Sequence, residues 1–174
     1  NYSSGSLSVM PILADGSLGA TVEKIIHTGS GPDKNRQEKP HVHATVLSPD
    51  NRFLFVPDLG TDQIMIYHFN EKTGKLKAAK QPFVKTKPAA GPRHFTFHPS
   101  GKFAYIMEEL SGSVTAFRYT AKSGRLKAVQ NISSVPAGFT GQAGSADIHL
   151  SADGRFLYAS NRGESNTIAM YAVN

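Results

Sequence analysis

The chain has 174 residues, 39% of them hydrophobic, and a formal charge of +6 from 19 Lys and Arg against 13 Asp and Glu. That length can bury a sizeable core as one domain. The lack of Cys excludes a disulfide framework, a thiol nucleophile and a thiolate metal site; it fits a cytoplasmic protein and leaves the periplasm open.

The basic excess favours an anionic small-molecule partner. Its Lys and Arg are scattered, with no run of five and no aromatic platform among them, so nucleic acid is not an expected partner. No stretch approaches the ~20 apolar residues that span a bilayer, and no basic-then-apolar leader opens the chain. It begins at Asn1, without an initiator Met, in what already reads as strand sequence over residues 6–12.

Along the chain the same elements return. Asp15-Gly-Ser-Leu18 is the first copy of a turn that recurs as Thr73-Gly-Lys-Leu-Lys-Ala78 and Ser123-Gly-Arg-Leu-Lys-Ala128. Ser48-Pro-Asp-Asn-Arg-Phe-Leu-Phe-Val56 lines up with His98-Pro-Ser-Gly-Lys-Phe-Ala-Tyr-Ile106 and Ser151-Ala-Asp-Gly-Arg-Phe-Leu-Tyr-Ala159. Phe53, Phe103 and Phe156 are thus spaced by 50 and 53 residues. In the middle copy strands are predicted over 93–97, 103–107 and 114–119, with a weaker fourth over 126–132. No window carries an apolar period of 3.6, so almost no helix is expected.

Four-stranded units repeating at this period are what radial propeller blades require. A β-sandwich is the competing all-β reading, and the long regular repeat disfavours it. The expected fold is a partial β-propeller of about three and a half blades: an incomplete blade over 1–39, full blades over 40–90 and 91–145, and an incomplete blade over 146–174. Such a piece would expose apolar faces and strand edges, so its expected partners include the remaining blades of a parent protein or a second copy.

Positions filled alike in every copy serve the fold; positions where one copy departs towards a reactive group are site candidates. Ten residues before each shared Phe stand His43, Arg93 and Ala146, and six residues after it stand Leu59, Glu109 and Arg162. In a propeller both positions fall near one mouth of the central channel. One imidazole, one carboxylate and two guanidiniums suit acid–base work on an anionic carbonyl compound. The bland readings are inter-blade salt bridges for Arg93, Arg162 and Glu109, and a hydrogen-bonded channel histidine for His43. His41, His94, Asp147 and His149 are secondary candidates. His41 with His43 hints at a metal, but no third ligand follows at a recognisable spacing, so neither metal nor cofactor is expected. Asp147 and His149 read as an inter-blade network, and the equivalent Asp58, Glu108 and Asn161 as a shared strand-end hydrogen bond. No Gly-x-Ser-x-Gly elbow supports a serine hydrolase.

Pro40-His-Val-His-Ala-Thr-Val-Leu-Ser-Pro-Asp50, Gly91-Pro-Arg-His-Phe-Thr-Phe-His-Pro-Ser-Gly101, Glu109-Leu-Ser-Gly-Ser-Val114 and Ala146-Asp-Ile-His-Leu-Ser-Ala-Asp-Gly-Arg155 resemble the lactonase-type seven-bladed propellers. That family holds bacterial 6-phosphogluconolactonases and the fungal carboxy-muconate lactonising enzyme. The resemblance covers essentially the whole chain, as a central piece of a member. It implies a lactone chemistry whose His, Glu and two Arg fall on His43, Glu109, Arg93 and Arg162. The leading expectation is cofactor-free hydrolysis of a sugar lactone, with His43 as general base or proton shuttle. Glu109 would orient it or act as its acid–base partner, and Arg93 and Arg162 would bind the phosphate of 6-phosphogluconolactone, the leading substrate, or polarise the carbonyl. Closure of an unsaturated dicarboxylate and a non-catalytic binding or scaffold propeller are the alternatives.

Overall fold

In the computed structural model, which describes residues 1–173, nearly every regular element is a strand. β1 (Ser6–Val9) and β2 (Glu23–Ile26) form a two-stranded ribbon. β3 (Val46–Leu47), β4 (Phe53–Asp58), β5 (Gln63–Phe69) and β6 (Leu76–Lys85) make a four-stranded antiparallel meander. β7 (Pro92–Phe97), β8 (Phe103–Glu108), β9 (Ser113–Thr120) and β10 (Arg125–Ser133) repeat it. β11 (Ser145–Leu150), β12 (Phe156–Asn161) and β13 (Thr167–Ala172) form a three-stranded sheet in the same order.

The repeated Pro-x-Gly-Phe element has a hydrogen-bond cause. Ser48 Oγ donates to Asp50 and accepts from the Phe53 amide, and Ser151 does the same with Asp153 and Phe156. His98 replaces the serine in the middle copy, where its Nδ1 pairs with Ser100. The residue two before each Phe is left-handed, at φ 56° in Asn51, 65° in Gly101 and 74° in Gly154. Asn and Gly tolerate that region best, which explains their interchange there.

Each sheet then packs face to face on the next. β4 is buried on both sides along its whole length, because it stands between two neighbouring sheets. Leu7 meets Val42, Leu54, Val56 and Tyr67 at the first junction. At the second, Phe55 stacks on Phe95 with ring centroids 5.4 Å apart, and Phe97 and Tyr119 meet it edge-on. Tyr105, Met107, Ile148 and Leu157 fill the third. A fully buried side chain of this size contributes ~1.5–3 kcal/mol. Meanders stacked in chain order, joined by successive apolar layers, are consecutive blades of a β-propeller.

Two expectations shift in detail. The first strand ends at Val9 rather than reaching Ile12, because Pro11 has no amide to donate and Ile12 makes only a bridge to Leu18. Among the described residues the one helical element is a 3-10 turn, Leu59–Thr61, whose Gly60 amide donates to the Asp58 carboxylate. No helix is long and apolar enough to cross a membrane among them. The end sheets expose large apolar side chains, Ile26 on β2 and Ile168 and Met170 on β13.

Candidate active site

The innermost strands are irregular at matching places. The β7–β8 register shifts between Pro92 and Phe95, and the β11–β12 register between Ser145 and Ile148. Ahead of β3, Val42 bridges Asp58 and the His43 amide donates to Pro57 O, after which the ladder is interrupted until Val46. Such irregularities re-aim side chains. They fall where His43, Arg93, His94, Ala146 and Asp147 stand. Gly91 allows the close approach just before: its φ is 66°, and a Cβ there would sit 2.6 Å from Leu110 Cγ. Its carbonyl accepts from the Glu109 amide at 2.7 Å, which fixes Glu109 beside the start of β7.

Glu109 is the hub. Its side chain is 7% exposed and faces three guanidiniums from three parts of the chain. Arg93 Nε donates to Oε2 at 2.7 Å, Arg36 Nη2 donates to Oε1 at 2.5 Å, and Arg162 Nη2 lies 3.3 Å from Oε2. Burial alone would raise the Glu109 pKa, but the hydrogen bonds and charges of Arg36 and Arg93 outweigh it and hold the carboxyl below its ordinary range. A carboxylate kept ionised in this way orients its partners and is a poor proton donor.

His43 Nε2 lies 3.9 Å from Glu109 Oε2, within ion-pair range but beyond a hydrogen bond. Its Nδ1 is buried without a hydrogen-bond partner among the described residues, and Nε2 is the ring nitrogen that faces Glu109. Desolvation, reinforced by the nearby Arg93 and His94, lowers its pKa to about 4, with Glu109 pulling weakly the other way. The imidazole is therefore neutral near pH 7.

The secondary candidates divide. His94 donates from Nδ1 to Asp147 Oδ1 at 2.6 Å across the blade boundary, and its Nε2 accepts from Arg93 Nη1 at 3.3 Å. With the Ala146 carbonyl, which also accepts from Nη1 at 2.8 Å, this locks Arg93 in place. Burial opposes ionisation of Asp147, but its hydrogen bonds to His94 and His149 dominate and bring its pKa down to about 2. His149 Nε2 closes that network at 2.9 Å, well exposed. The His43 and His94 rings meet edge to face at 5.4 Å. His41 stands one ring further out: it stacks at 4.4 Å on Tyr2, which meets His43 edge-on at 5.4 Å, and it pairs with Glu38 at 3.3 Å. Among the described residues no group of three or more His, Asp or Glu is arranged to hold a metal ion.

The recurrent Asp58, Glu108 and Asn161 are buried hydrogen-bond hubs at the end of each second strand. Asp58 accepts from His27 and the amides of His41 and Gly60; Glu108 accepts from Ser113, Thr115 and Asn131; Asn161 ties Ser134, Ser145 and Thr167 together. Repeat comparison missed Arg36 and Tyr2. A register counted from the shared Phe begins at Phe53, and the positions ten before and six after it reach neither residue.

The family model described as Lactonase, 7-bladed beta-propeller matches residues 1–174. A 6-phosphogluconolactonase of Bacillus subtilis (strain 168) is 41% identical over 175 residues, covering 100% of this chain and 48% of its own length. Among solved structures, a protein from Lactobacillus plantarum superposes with a TM-score of 0.92 at 38% identity, over 100% of this chain and 49% of that one. A periplasmic gluconolactonase of Pseudomonas aeruginosa gives 0.88 at 42% identity, over 97% and 47%. The chain spans about half the length of the curated relatives it matches.

Proposed function

Because the chain belongs to the seven-bladed β-propeller lactonase family, we propose that the intact protein hydrolyses a sugar lactone, with 6-phosphogluconolactone as the leading substrate. One observation carries the reading: a neutral imidazole, His43, and a buried guanidinium, Arg93, share the ionised Glu109. The names of the relatives, 6-phosphogluconolactonase and gluconolactonase, support the substrate class.

The chemistry follows from those groups. His43 Nε2 takes a proton from water as its oxygen bonds to the lactone carbonyl carbon. Negative charge gathers on the carbonyl oxygen and is met by a guanidinium already fixed by Glu109, His94 and the Ala146 carbonyl, so little reorganisation is needed. The carbon–ring-oxygen bond then breaks, and the imidazolium returns its proton to the departing oxygen. The product is the open hydroxy acid. Glu109, 3.9 Å away, stabilises the transient imidazolium.

The test is hydrolysis of 6-phosphogluconolactone by the full-length protein, followed across pH and corrected for spontaneous opening. His43 keeps its neutral form until pH falls towards about 4, so the expected kcat/KM is level near neutrality and declines only as that value is approached. An unperturbed histidine would lose half its base form near pH 6.5 instead. Turnover no faster than the uncatalysed reaction overturns the proposal. Closure of a carboxylated muconate in the same assay series would reassign the site to lactone formation, and turnover of neither would leave an anion-binding propeller.

A further inference from the structure

Arg36 is where the site exceeds what its carboxylate requires. Three guanidiniums surround Glu109, and Arg93 already spends Nε and Nη1 on protein acceptors. Arg36 spends Nη2 on Glu109 and also faces the Tyr2 hydroxyl, which leaves further N–H groups of its five, and its side chain is 43% exposed in this chain. Arg162 is similarly open at 54%. The loop carrying Arg36 is nonetheless tightly built. Its neighbour Gln37 is fully buried and donates to the Leu59 carbonyl and Asp62, while its own amide donates to Asp33 O. The Arg36 amide is held by Asp33 Oδ1 as well. So well-anchored a turn holds the Arg36 guanidinium in place beforehand, which lowers the ordering cost of binding an anion there.

Beside it lies a cleft of about 500 Å³ lined by Arg36 and Glu109 together with Asn35, Ser111 and Gln142. Asp33 also lines it, but its Oδ1 is already occupied by the Asn35 and Arg36 amides. Amides and a hydroxyl suit a polyol chain, and a guanidinium with free N–H groups suits a phosphate. Glu109 lines this cleft and also stands 3.9 Å from His43 Nε2, so the cleft and the imidazole meet at one carboxylate, with Arg36 on Oε1 and His43 facing Oε2.

We infer that Arg36 and this cleft form the subsite for the phosphorylated tail of the substrate, and that Arg36 sets the preference for phosphorylated over unphosphorylated aldonolactones. The inference rests on the lactonase reading above. It is tested in the full-length protein by comparing Arg36→Met and Arg36→Lys with the parent on 6-phosphogluconolactone and on δ-gluconolactone. Arg36→Met is expected to raise KM for the phosphorylated lactone about ten- to a hundred-fold more than KM for δ-gluconolactone, because any loss that acts through Glu109 falls on both lactones alike and cancels in the ratio. Arg36→Lys should recover part of the loss. An equal change on both lactones makes Arg36 a support for Glu109 alone and overturns the inference, as does no change on either. Should Arg36→Met not fold, Arg36→Lys is read in the same way. If the parent turns over neither lactone, the lactonase reading fails by itself. Calorimetry with 6-phosphogluconate and gluconate then decides: tighter binding of the phosphorylated acid that is lost in Arg36→Met supports the subsite, and equal binding overturns it.

Discussion

His43→Ala in the full-length protein is expected to lower kcat for lactone hydrolysis by ~10²–10⁴ while changing KM little. The imidazole is the one group in the cluster that is both uncharged near neutrality and placed to take a proton. Glu109 is ionised but held by arginines, and the guanidiniums cannot accept. Folding should be nearly unaffected. His43 contributes a buried Nδ1 without a partner and edge contacts with Tyr2 and His94, so its removal deletes no hydrogen bond from the side chain. An unchanged melting temperature beside a collapsed kcat separates a chemical role from a structural one. A variant with parental kcat would remove His43 from the reaction.

Glu109→Gln should damage both stability and activity. Taking one partner out of a buried ion pair costs ~3–5 kcal/mol, because the charge left behind is neither paired nor solvated. The cost should lie near the lower end. Arg93 is 13% exposed and is stranded, but Arg36 and Arg162 are about half exposed and can turn to water. Without the carboxylate three like charges also face one another, so the oxyanion contact loses its geometry and kcat falls with stability. A distinguishing readout is His43 itself. Glu109 raises its pKa, so in Glu109→Gln the imidazole should titrate still lower, measurable by NMR. Titration at or above the parental value would contradict the placement of the two groups.

How far the sequence carried this account varied with the kind of residue. The strands and their turns were readable because the amides of Ser48, His98 and Ser151 donate alike to the carbonyls of Phe53, Phe103 and Phe156, and a local cause repeats with the sequence. Positions 43, 93, 109 and 162 stood out because the copies differ there, and the structure gathers His43, Arg93 and Arg162 around the carboxylate of Glu109. Arg36 was invisible to that comparison. It reaches Glu109 across 73 residues from a connection longer than its counterparts after β6 and β10, so no shared register marks it. The link from His94 to Asp147 is likewise a product of stacking: it crosses 53 residues and exists only because β7 and β11 lie side by side. The two-residue length of β3 was also not legible, since the sequence of 41–47 alternates like its counterparts.

The central claim is that distant segments of the chain meet around Glu109 to hold one anionic lactone. A crystal structure of the full-length protein with 6-phosphogluconate, the hydrolysis product, tests it most directly. The product's carboxylate should lie against His43 Nε2 and Arg93, with its phosphate towards Arg36. Density for the ligand at any place remote from Glu109, or His43 and the arginines turned to separate surfaces, would contradict the account.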